Sequence, residues 1–370
     1  MRTVRLLLLT EIPAPFRIPL FNALAREPDI DLEVLFLSEQ DPKRPYPVYA
    51  DEFRFGWRIL RGFGVVPKGR WIVFNRGVLR AVRRLHPAVI VIGGWNQPSF
   101  WVAAVYARLT RVPLVAWVES TARDERLGKF MTEIPKRILV HSCTAFLVPG
   151  RASADYVRSL GISADLIDRA PNAVDTRVFR DAVAEARREL EELRKRLDLT
   201  RCTFLYVGRL DPEKGVDLLI EAIRPVAADL VVVGIGADAE RLKRLAPPNV
   251  RFVGRLERDT LVPWYAAADA FVLPSRSDQW GMVLNEAATA GLPLVSTDAP
   301  GAAHDLIEDG VNGFRVPAGD VGALTEALRR LAESPELRHE AGRRSEQIAA
   351  HFTPEAWAEA VSSVTRRLVA

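Results

Sequence analysis

The chain has 370 residues, of which 48% are hydrophobic and 26% charged, and it carries a formal net charge of +4. These values are typical of a globular protein with room for two domains and exclude a disordered chain, and no apolar run reaches the length of about 18 residues that a bilayer-spanning helix needs. Two cysteines without a disulfide pattern, Cys143 and Cys202, and five histidines without zinc-ligand spacing predict a protein of the reducing cytoplasm that holds no metal.

Strand and helix patterns alternate along the first half of the chain. Continuous apolar runs predict strands at Val4–Thr10, Leu32–Leu37, Ala88–Ile92, Pro113–Trp117 and Ala145–Val148. Helical spacing of apolar residues predicts helices at Ile18–Arg26, Asn75–Leu85 and Pro98–Leu109. Strands that are apolar throughout and alternate with amphipathic helices indicate a parallel sheet covered on both faces.

Positive charge is concentrated in this first half. Residues 1–172 hold 25 Lys and Arg against 16 Asp and Glu, whereas residues 173–370 hold 26 against 31. No carboxylate lies between Phe53 and Val118, whereas eleven cations do. Aromatic residues are interspersed with these cations, among them Trp57, Phe63, Trp71 and Phe74. This mixture favours peripheral contact of residues 54–84 with an anionic membrane. A solvated arginine-rich surface with the aromatic rings in the core explains the same pattern equally well.

The alternation pauses near Pro171 and then resumes. A charged helix is predicted at Ala182–Leu197, followed by strands at Phe204–Val207, Leu230–Val233, Val250–Val253, Ala270–Leu273, Leu294–Ser296 and Gly313–Val316. A last helix, Glu355–Leu368, has apolar residues at helical spacing and is predicted to pack against the first domain. The sequence therefore predicts an α/β protein with two doubly wound, Rossmann-like domains facing a central cleft, 1–172 with 355–370 and 173–354.

The first motif that carries chemistry is a cationic loop at the start of the second domain. A strand ends at Gly208 and a helix begins near Val216, so Arg209 and Lys214 lie at the carboxyl edge of the sheet beside a helix N-terminus. Two cations and a positive helix end can neutralise a diphosphate. A solvated loop, in which both cations pair with acidic residues of the loop itself, Asp211 or Glu213, is the alternative.

The second motif is a pair of carboxylates, Asp278 and Glu286, separated by seven residues. Asp278 precedes a predicted short helix and could accept hydrogen bonds from sugar hydroxyls. Glu286, about one turn inside the helix, could bind the two hydroxyls of a ribose. The amides of Gly281, Met282 and Val283 point out of the helix start, where anions bind. Helix capping explains Asp278 but not Glu286.

These motifs resemble those of the retaining glycosyltransferases of family 4, which have the GT-B fold. The resemblance rests on Gly-Arg-Leu-x-x-x-Lys-Gly at 208–215, the carboxylate pair, and Ala-Gly-Leu-Pro-Leu-Val at 290–295. Shorter matches are Ala170–Asp175, Phe252–Gly254 and Asp309–Phe314. The likeness covers the whole second half of the chain and thins over residues 1–170.

The resemblance implies transfer of a sugar from a nucleotide-diphosphate sugar, UDP or GDP, with retention and without a metal or other cofactor. It assigns the diphosphate to Arg209 and Lys214, the ribose to Glu286 and the sugar to Asp278. The remaining donor contacts that it implies are Gly208, Arg255, Leu256, Gln279, Trp280, Gly281, Met282 and Val283, with Arg255 and Leu256 against the base. The departing phosphate would take the acceptor proton, so that the protein supplies positioning and electrostatics.

The chain departs from the family pattern in three places. Asp278 replaces the more usual Glu. Residues 12–17 stand where many members have a Gly-Gly loop, so Arg17 is a candidate phosphate or acceptor contact. Glu119 stands where many members have a His, and we take it as a catalytic candidate that orients sugar or acceptor, although a structural role is equally open. Three further acceptor candidates follow the strand at Ala88–Ile92: Gly94, Trp95 and Asn96.

The basic first domain favours an acceptor from cell-envelope glycan, lipid-linked sugar or glycolipid, used at the inner face of the membrane, with no nucleic acid as partner. Two other functions remain open. Gly234–Ala239 follows a strand and formally matches a dinucleotide-binding fingerprint, which would make the protein an NAD-dependent oxidoreductase. A non-catalytic GT-B scaffold that binds an anionic polymer is the other.

Overall fold

The computed structural model describes residues 3–42, 46–67, 71–123 and 136–370. The chain divides into two compact units. The first unit contains the chain up to Val174, without a short stretch at Arg123, together with Pro354–Ala370. The second unit is Asp175–Thr353, with which Arg123 is grouped. The boundaries placed from the sequence, after residues 172 and 354, lie two residues and one residue from these divisions.

The first unit is built on a parallel sheet of seven strands. Its strands are β1 (Val4–Thr10), β2 (Ile30–Phe36), β3 (Gly56–Ile59), β6 (Val89–Ile92), β7 (Leu114–Trp117), β8 (Ala145–Val148) and β9 (Ile167–Arg169). Their order is β3-β2-β1-β6-β7-β8-β9, so the direction of winding reverses between β1 and β6. A separate antiparallel hairpin consists of β4 (Gly62–Val65) and β5 (Ile72–Asn75). The helices are α1 (Ile18–Leu24), α2 (Val78–Leu85), α3 (Pro98–Thr110) and α4 (Arg151–Ser159).

The second unit repeats this plan with six parallel strands. They are β10 (Thr203–Val207), β11 (Asp229–Val233), β12 (Val250–Gly254), β13 (Ala270–Leu273), β14 (Leu294–Thr297) and β15 (Gly313–Val316), in the order β12-β11-β10-β13-β14-β15. The helices are α5 (Thr176–Arg187), α6 (Leu190–Arg196), α7 (Val216–Ile223), α8 (Ala239–Leu245), α9 (Arg258–Ala267), α10 (Met282–Thr289), α11 (Ala303–Leu306), α12 (Val321–Glu333) and α13 (Pro335–Ala349). Winding reverses here between β10 and β13.

The final helix, α14 (Pro354–Val369), returns to the first unit. β1 shows why it does so, because its side chains alternate between two faces that both need cover. Leu7 and Leu9 pack in one hydrophobic cluster, whereas Leu6 and Leu8 pack in another that contains Trp357 of α14. Burial of each such side chain contributes about 1.5–3 kcal/mol, so α14 closes a face of the sheet that would otherwise be exposed. The helix therefore packs against the first unit, as its apolar spacing predicted.

The region between β2 and α2 differs from the prediction. The predicted helix Asn75–Leu85 is wrong at its start, because Asn75 ends strand β5 and α2 begins at Val78. Gly77 separates the two with a φ of +82°, a left-handed conformation that favours glycine. Strands β3, β4 and β5 were not predicted, because none of them carries a buried apolar run.

The charged helix predicted at Ala182–Leu197 is two helices. α5 starts earlier, at Thr176, where the Asp175 side chain accepts a hydrogen bond from the Val178 amide at 3.2 Å. The helical backbone is interrupted at Glu189, with φ −118° and ψ 47°, and α6 then begins at Leu190. Charged side chains on both sides hide this interruption in the sequence.

Candidate functional site

The two motifs that the sequence singled out lie at one edge of the second sheet. The first loop, residues 208–215, leaves the carboxyl end of β10, and the second loop, residues 274–281, leaves the carboxyl end of β13. These strands are neighbours at the point where winding reverses. Open α/β sheets bind ligands outside the carboxyl ends of the strands at such a point. The topology therefore brings the cationic loop and the carboxylate pair together.

A buried tyrosine and a glycine hold the first loop. Tyr206, in β10, donates a hydrogen bond from its hydroxyl to the backbone carbonyl of Arg209 at 2.7 Å. Gly215 ends the loop with a φ of +66°, and a Cβ at this position would lie 2.2 Å from the carbonyl oxygen of Pro274. Only glycine allows this conformation and this approach, so the two loops touch directly beside Lys214.

The two cations of the first loop have different partners. Lys214 Nζ lies 2.6 Å from Oδ2 of Asp278 in the second loop, with 14% and 18% of the side chains exposed. Arg209 pairs with Asp211 and Glu213 of its own loop. The alternative in which both cations pair with Asp211 or Glu213 is therefore correct for Arg209 and wrong for Lys214. An ammonium and a carboxylate from neighbouring loops meet at this edge.

Helix α10 begins at Met282, directly after Gly281, whose φ is +90°. Asp278 and the predicted contact Gln279 lie in the loop just before this helix, and the predicted contact Val283 lies in its first turn. Trp280 is buried, and its indole N–H donates to the side chain of Asn285 at 2.8 Å. The indole of Trp280 is therefore engaged within the unit, and the donor contacts predicted for Gln279–Val283 are those of the main chain.

Glu286, inside α10, is bound by a tyrosine. The Tyr265 hydroxyl, on α9, donates to Oε2 of Glu286 at 2.6 Å, and the tyrosine is fully buried. Burial raises the pKa of Glu286, and the hydrogen bond from Tyr265 and the charge of Arg258 reduce that rise. Sequence reasoning missed Tyr265, since a tyrosine in an apolar helix carries no distinguishing signal. One oxygen of Glu286 is thus fixed in place.

Arg255 and Leu256 follow β12, two strands away from β10 on the same edge of the sheet. Backbone hydrogen bonds connect this region to the first loop: Gly234 donates to Gly254 at 2.8 Å, and Leu210 donates to Ile235 at 2.9 Å. Arg255 pairs with Glu257 at 3.2 Å and Leu256 packs on the core of the unit. The carboxyl ends of β10, β11 and β12 therefore form one connected border.

Packing explains the glycines that matched a dinucleotide fingerprint. A Cβ at Gly234 would lie 1.8 Å from the carbonyl oxygen of Gly208, and one at Gly236 would lie 2.4 Å from the main chain of Leu210. Both glycines are needed because the first loop lies against them. They require no dinucleotide to account for them.

The first unit has its own polar cluster at the carboxyl ends of its strands. Arg17 Nη2 donates to Oε2 of Glu119 at 3.0 Å, and Asn172 Nδ2 donates to Oε1 at 2.9 Å. Arg17 also donates to the Thr10 hydroxyl, and its guanidinium carbon lies 4.6 Å from the centre of the Trp117 ring. Both oxygens of Glu119 are therefore occupied, one of them by a cation.

The predicted residues Gly94, Trp95 and Asn96 lie on the loop after β6, beside the reversal of the first sheet. Asn96 Nδ2 donates to Oε1 of Glu11 at 2.7 Å, and the buried Gln97 donates to the same oxygen at 2.8 Å. Glu11 was missed, although its place directly after the first strand was a usable signal. The reversal of each sheet thus carries a carboxylate bound by side chains from a neighbouring loop.

The surface formed by residues 56–67 and 71–84, called here the hairpin surface, combines exposed rings with exposed arginines. Phe63 and Phe74 stack at 5.5 Å between ring centres and are 57% and 42% exposed. Trp57 is also exposed, so the alternative that placed these rings in the core is wrong for all three. Six arginines of this surface are exposed: Arg58, Arg61, Arg76, Arg80, Arg83 and Arg84.

Two family models match the chain. Glycosyltransferase Family 4 matches residues 20–178, and Glycosyl transferases group 1 matches residues 201–334. The alpha-D-kanosaminyltransferase of Streptomyces kanamyceticus is 30% identical over 288 residues, which is 72% of this chain and 73% of that protein. The chain belongs to glycosyltransferase family 4. The D-inositol 3-phosphate glycosyltransferase of Kribbella flavida is 29% identical, over 75% of this chain and 72% of that protein.

Solved structures give the fold of this family 4 protein. HepE of Anabaena, in complex with UDP, superposes with a TM-score of 0.78 at 19% identity, covering 99% of this chain and 100% of that one. The predicted GT-B class, with two Rossmann-like units, is confirmed. The family 4 protein is a glycosyltransferase that takes its sugar from a nucleotide-sugar donor. The matches are to glycosyltransferases and give the oxidoreductase alternative no support.

Two observations bear on metals and membranes. Within residues 3–42, 46–67, 71–123 and 136–370, His, Cys, Asp and Glu form no group of three or more that could hold a metal ion. None of the helices in those ranges has both the length and the apolarity that crossing a bilayer requires.

Proposed function

We propose that this family 4 protein is a retaining glycosyltransferase that uses a UDP-sugar, works without a metal and elongates a cell-envelope glycan or lipid-linked acceptor. The observation that carries the proposal is the 2.6 Å contact of Lys214 with Asp278 at the reversal of the second sheet. It brings together a cation for phosphate and a carboxylate for sugar hydroxyls. GDP-sugars are the second choice of donor.

Arg209 and Lys214 would bind the diphosphate by exchanging partners. In the structure their charges are balanced by the carboxylates of Asp211, Glu213 and Asp278. A diphosphate entering beside Lys214 would take over that ammonium and release Asp278 to accept hydrogen bonds from the sugar. Before the donor arrives, the pairing with these carboxylates keeps the cations from being buried without a partner.

Glu286 would bind the ribose. Tyr265 fixes one oxygen of the carboxylate and with it the plane of the group, so a ribose diol can meet a carboxylate of set orientation. Arg255 and Leu256, at the end of β12, would then lie against the base. HepE, which shares the fold, is known in complex with UDP and with UDP-glucose, and this favours uridine over other bases.

Glu119 would act by positioning Arg17. The two oxygens of Glu119 accept hydrogen bonds from Arg17 and Asn172, so the carboxylate holds these two side chains in place. The departing phosphate would take the acceptor proton, with Arg209 and Lys214 stabilising the charge that develops on it. Arg17, together with Gly94, Trp95 and Asn96, would contact the acceptor.

The hairpin surface would bind the acceptor's membrane. Exposed aromatic rings surrounded by arginines suit an interface with anionic headgroups, where rings enter the boundary and guanidinium groups pair with phosphate. This contact would hold the enzyme peripherally at the inner face of the membrane, where lipid-linked sugars are assembled.

The test is the anomeric configuration of the product. The protein is incubated with UDP-glucose and with fractions of bacterial lipid-linked sugars, glycolipids and polysaccharide, and the product is analysed by proton NMR. The proposal expects an α-glucoside in a lipid or glycan fraction, formed equally in the presence of a metal chelator. A β-glucoside, or loss of transfer with the chelator, would contradict the proposed mechanism.

A further inference from the structure

The two loops of the donor site are joined at two points, one on either side of Lys214 in the first loop. The backbone amides of Arg276 and Ser277 donate to the carbonyl of Glu213 at 2.8 and 3.3 Å. Close packing of Gly215 on Pro274 forms the other junction. Main-chain contacts therefore join the loops at two points, and the reach of Lys214 to Asp278 depends on how far apart the loops are held.

The side chain of Arg276 reinforces the first of these junctions. Its Nη1 donates to the carbonyl of Pro212 in the first loop at 2.8 Å. Both of its terminal nitrogens also donate to Asp217, in the first turn of α7, at 2.7 and 3.0 Å. One guanidinium thus connects the second loop with the first loop and with the helix that follows it. A planar fork suits this task, because it binds a carboxylate through two parallel hydrogen bonds.

Asp217 lies between two guanidinium groups. Besides Arg276, it faces Nη2 of Arg241 on α8 at 3.6 Å, and Arg241 also pairs with Asp238. Burial tends to raise the pKa of Asp217, but the two arginines hold it below its ordinary value. The ordinary pKa of an aspartate already lies far below neutral pH, so Asp217 stays charged there even without Arg241 and keeps the guanidinium of Arg276 in place. Arg241 touches the carboxylate without contacting either loop, so it provides a matched control.

We propose that Arg276 is a positioning residue for the donor: it sets the separation of the two loops and thereby the geometry in which Lys214 and Asp278 receive the diphosphate and the sugar. This inference rests on the proposed function, which places the donor at that pair. Arg276 is itself partly exposed, at 38% of its side chain, and exposed ion pairs add little to stability. Its effect is therefore expected in binding and not in folding.

The experiment compares Arg276→Ala, Arg276→Lys and the control Arg241→Ala in the full chain, by calorimetric titration with UDP and by thermal unfolding. Arg276→Ala is expected to weaken UDP binding about tenfold, because small displacements of binding groups are costly. Arg276→Lys, which keeps the charge but loses the fork, should lie in between. Arg241→Ala should bind UDP within about twofold of the wild type, and melting temperatures should agree within about 2 °C.

The coupling between the two partners is measured by adding Asp217→Asn and the double variant. If Arg276 acts through Asp217, Asp217→Asn weakens UDP binding, and the double variant is no weaker than Arg276→Ala. UDP affinity equal to the wild type in Arg276→Ala, or loss of affinity only in proportion to a lowered melting temperature, overturns the inference. A wild type that binds none of UDP, GDP, ADP and TDP overturns the proposed function as well, so the two failures are distinguishable.

Discussion

The hydroxyl of Tyr265 donates a hydrogen bond to Glu286 at 2.6 Å from a fully buried ring. The two residues come from successive helices, α9 and α10, with β13 between them. Burial raises the pKa of the glutamate while the hydrogen bond opposes that rise. The proposed binding of a ribose diol by Glu286 would use this fixed orientation, and burial of the carboxylate has a cost in stability. Both consequences can be measured.

Removal of the hydroxyl should shift the pH dependence of UDP binding. Without the hydrogen bond that favours its charged form, the pKa of Glu286 rises further. As the pH falls, the carboxylate of Tyr265→Phe should therefore become protonated at a higher pH than that of the wild type. Titrations with UDP between about pH 5 and pH 8 should show affinity declining earlier as the pH falls. Tyr106→Phe, on α3 of the first unit, is the control and should leave the profile unchanged.

Glu286→Gln should stabilise the protein while weakening the donor site. A group whose folded pKa is raised contributes stability below its unfolded pKa and loses that contribution as the pH rises through the folded pKa. A neutral amide avoids this loss and can still accept the hydrogen bond from Tyr265. The melting temperature should therefore rise by about 2 °C near pH 8 and match the wild type near pH 4. Unchanged melting at both pH values would show that the carboxylate carries no such cost.

Glu119→Gln distinguishes a positioning residue from a general base. The amide can keep a hydrogen bond to Asn172 but loses the ion pair with Arg17. If Glu119 positions Arg17, the rate of transfer should fall by about tenfold or less. Loss of a general base would lower the rate by about a hundredfold or more. The rate should also keep its wild-type pH profile. A loss of a thousandfold together with disappearance of the acidic limb would make Glu119 the base.

The hairpin surface should bind vesicles of phosphatidylglycerol and not of phosphatidylcholine. The double variant Phe63→Ser/Phe74→Ser removes the stacked pair and should weaken sedimentation with anionic vesicles by about tenfold or more, with UDP affinity unchanged. Leu109→Ser removes an exposed apolar side chain at the end of α3 and should leave vesicle binding intact. Equal losses in both variants would rule out a specific surface.

Much of the architecture could be predicted from buried strands. Ala145–Val148, Ala270–Leu273 and Gly313–Val316 have the predicted bounds because an apolar run between turn residues leaves little freedom. Strands β3, β4 and β5 could not be found in this way. β3 and β4 begin with glycine and are exposed along most of their length, and β5 buries only Val73. Backbone pairing holds these strands, and it leaves no apolar pattern in the sequence.

The residues of the candidate site could be predicted from the sequence, but their partners could not. Lys214 and Asp278 were each predicted as donor contacts, and they lie together because each follows a strand of a parallel sheet and the carboxyl ends of such strands share an edge. The partners of the functional groups were not predictable. Tyr265 and Arg276 contact residues that are distant in the chain, and tertiary packing decides which helix faces which loop.

The most direct test of the donor site is the UDP affinity of Lys214→Ala beside that of Lys243→Ala, which removes an exposed lysine of the same unit that pairs with Glu240 at 2.8 Å. A charge-assisted hydrogen bond to the diphosphate predicts that Lys214→Ala binds UDP about 30-fold more weakly. Lys243→Ala should bind as the wild type does. Equal affinity in all three proteins would contradict the assignment of Lys214 and Asp278 to the nucleotide-sugar.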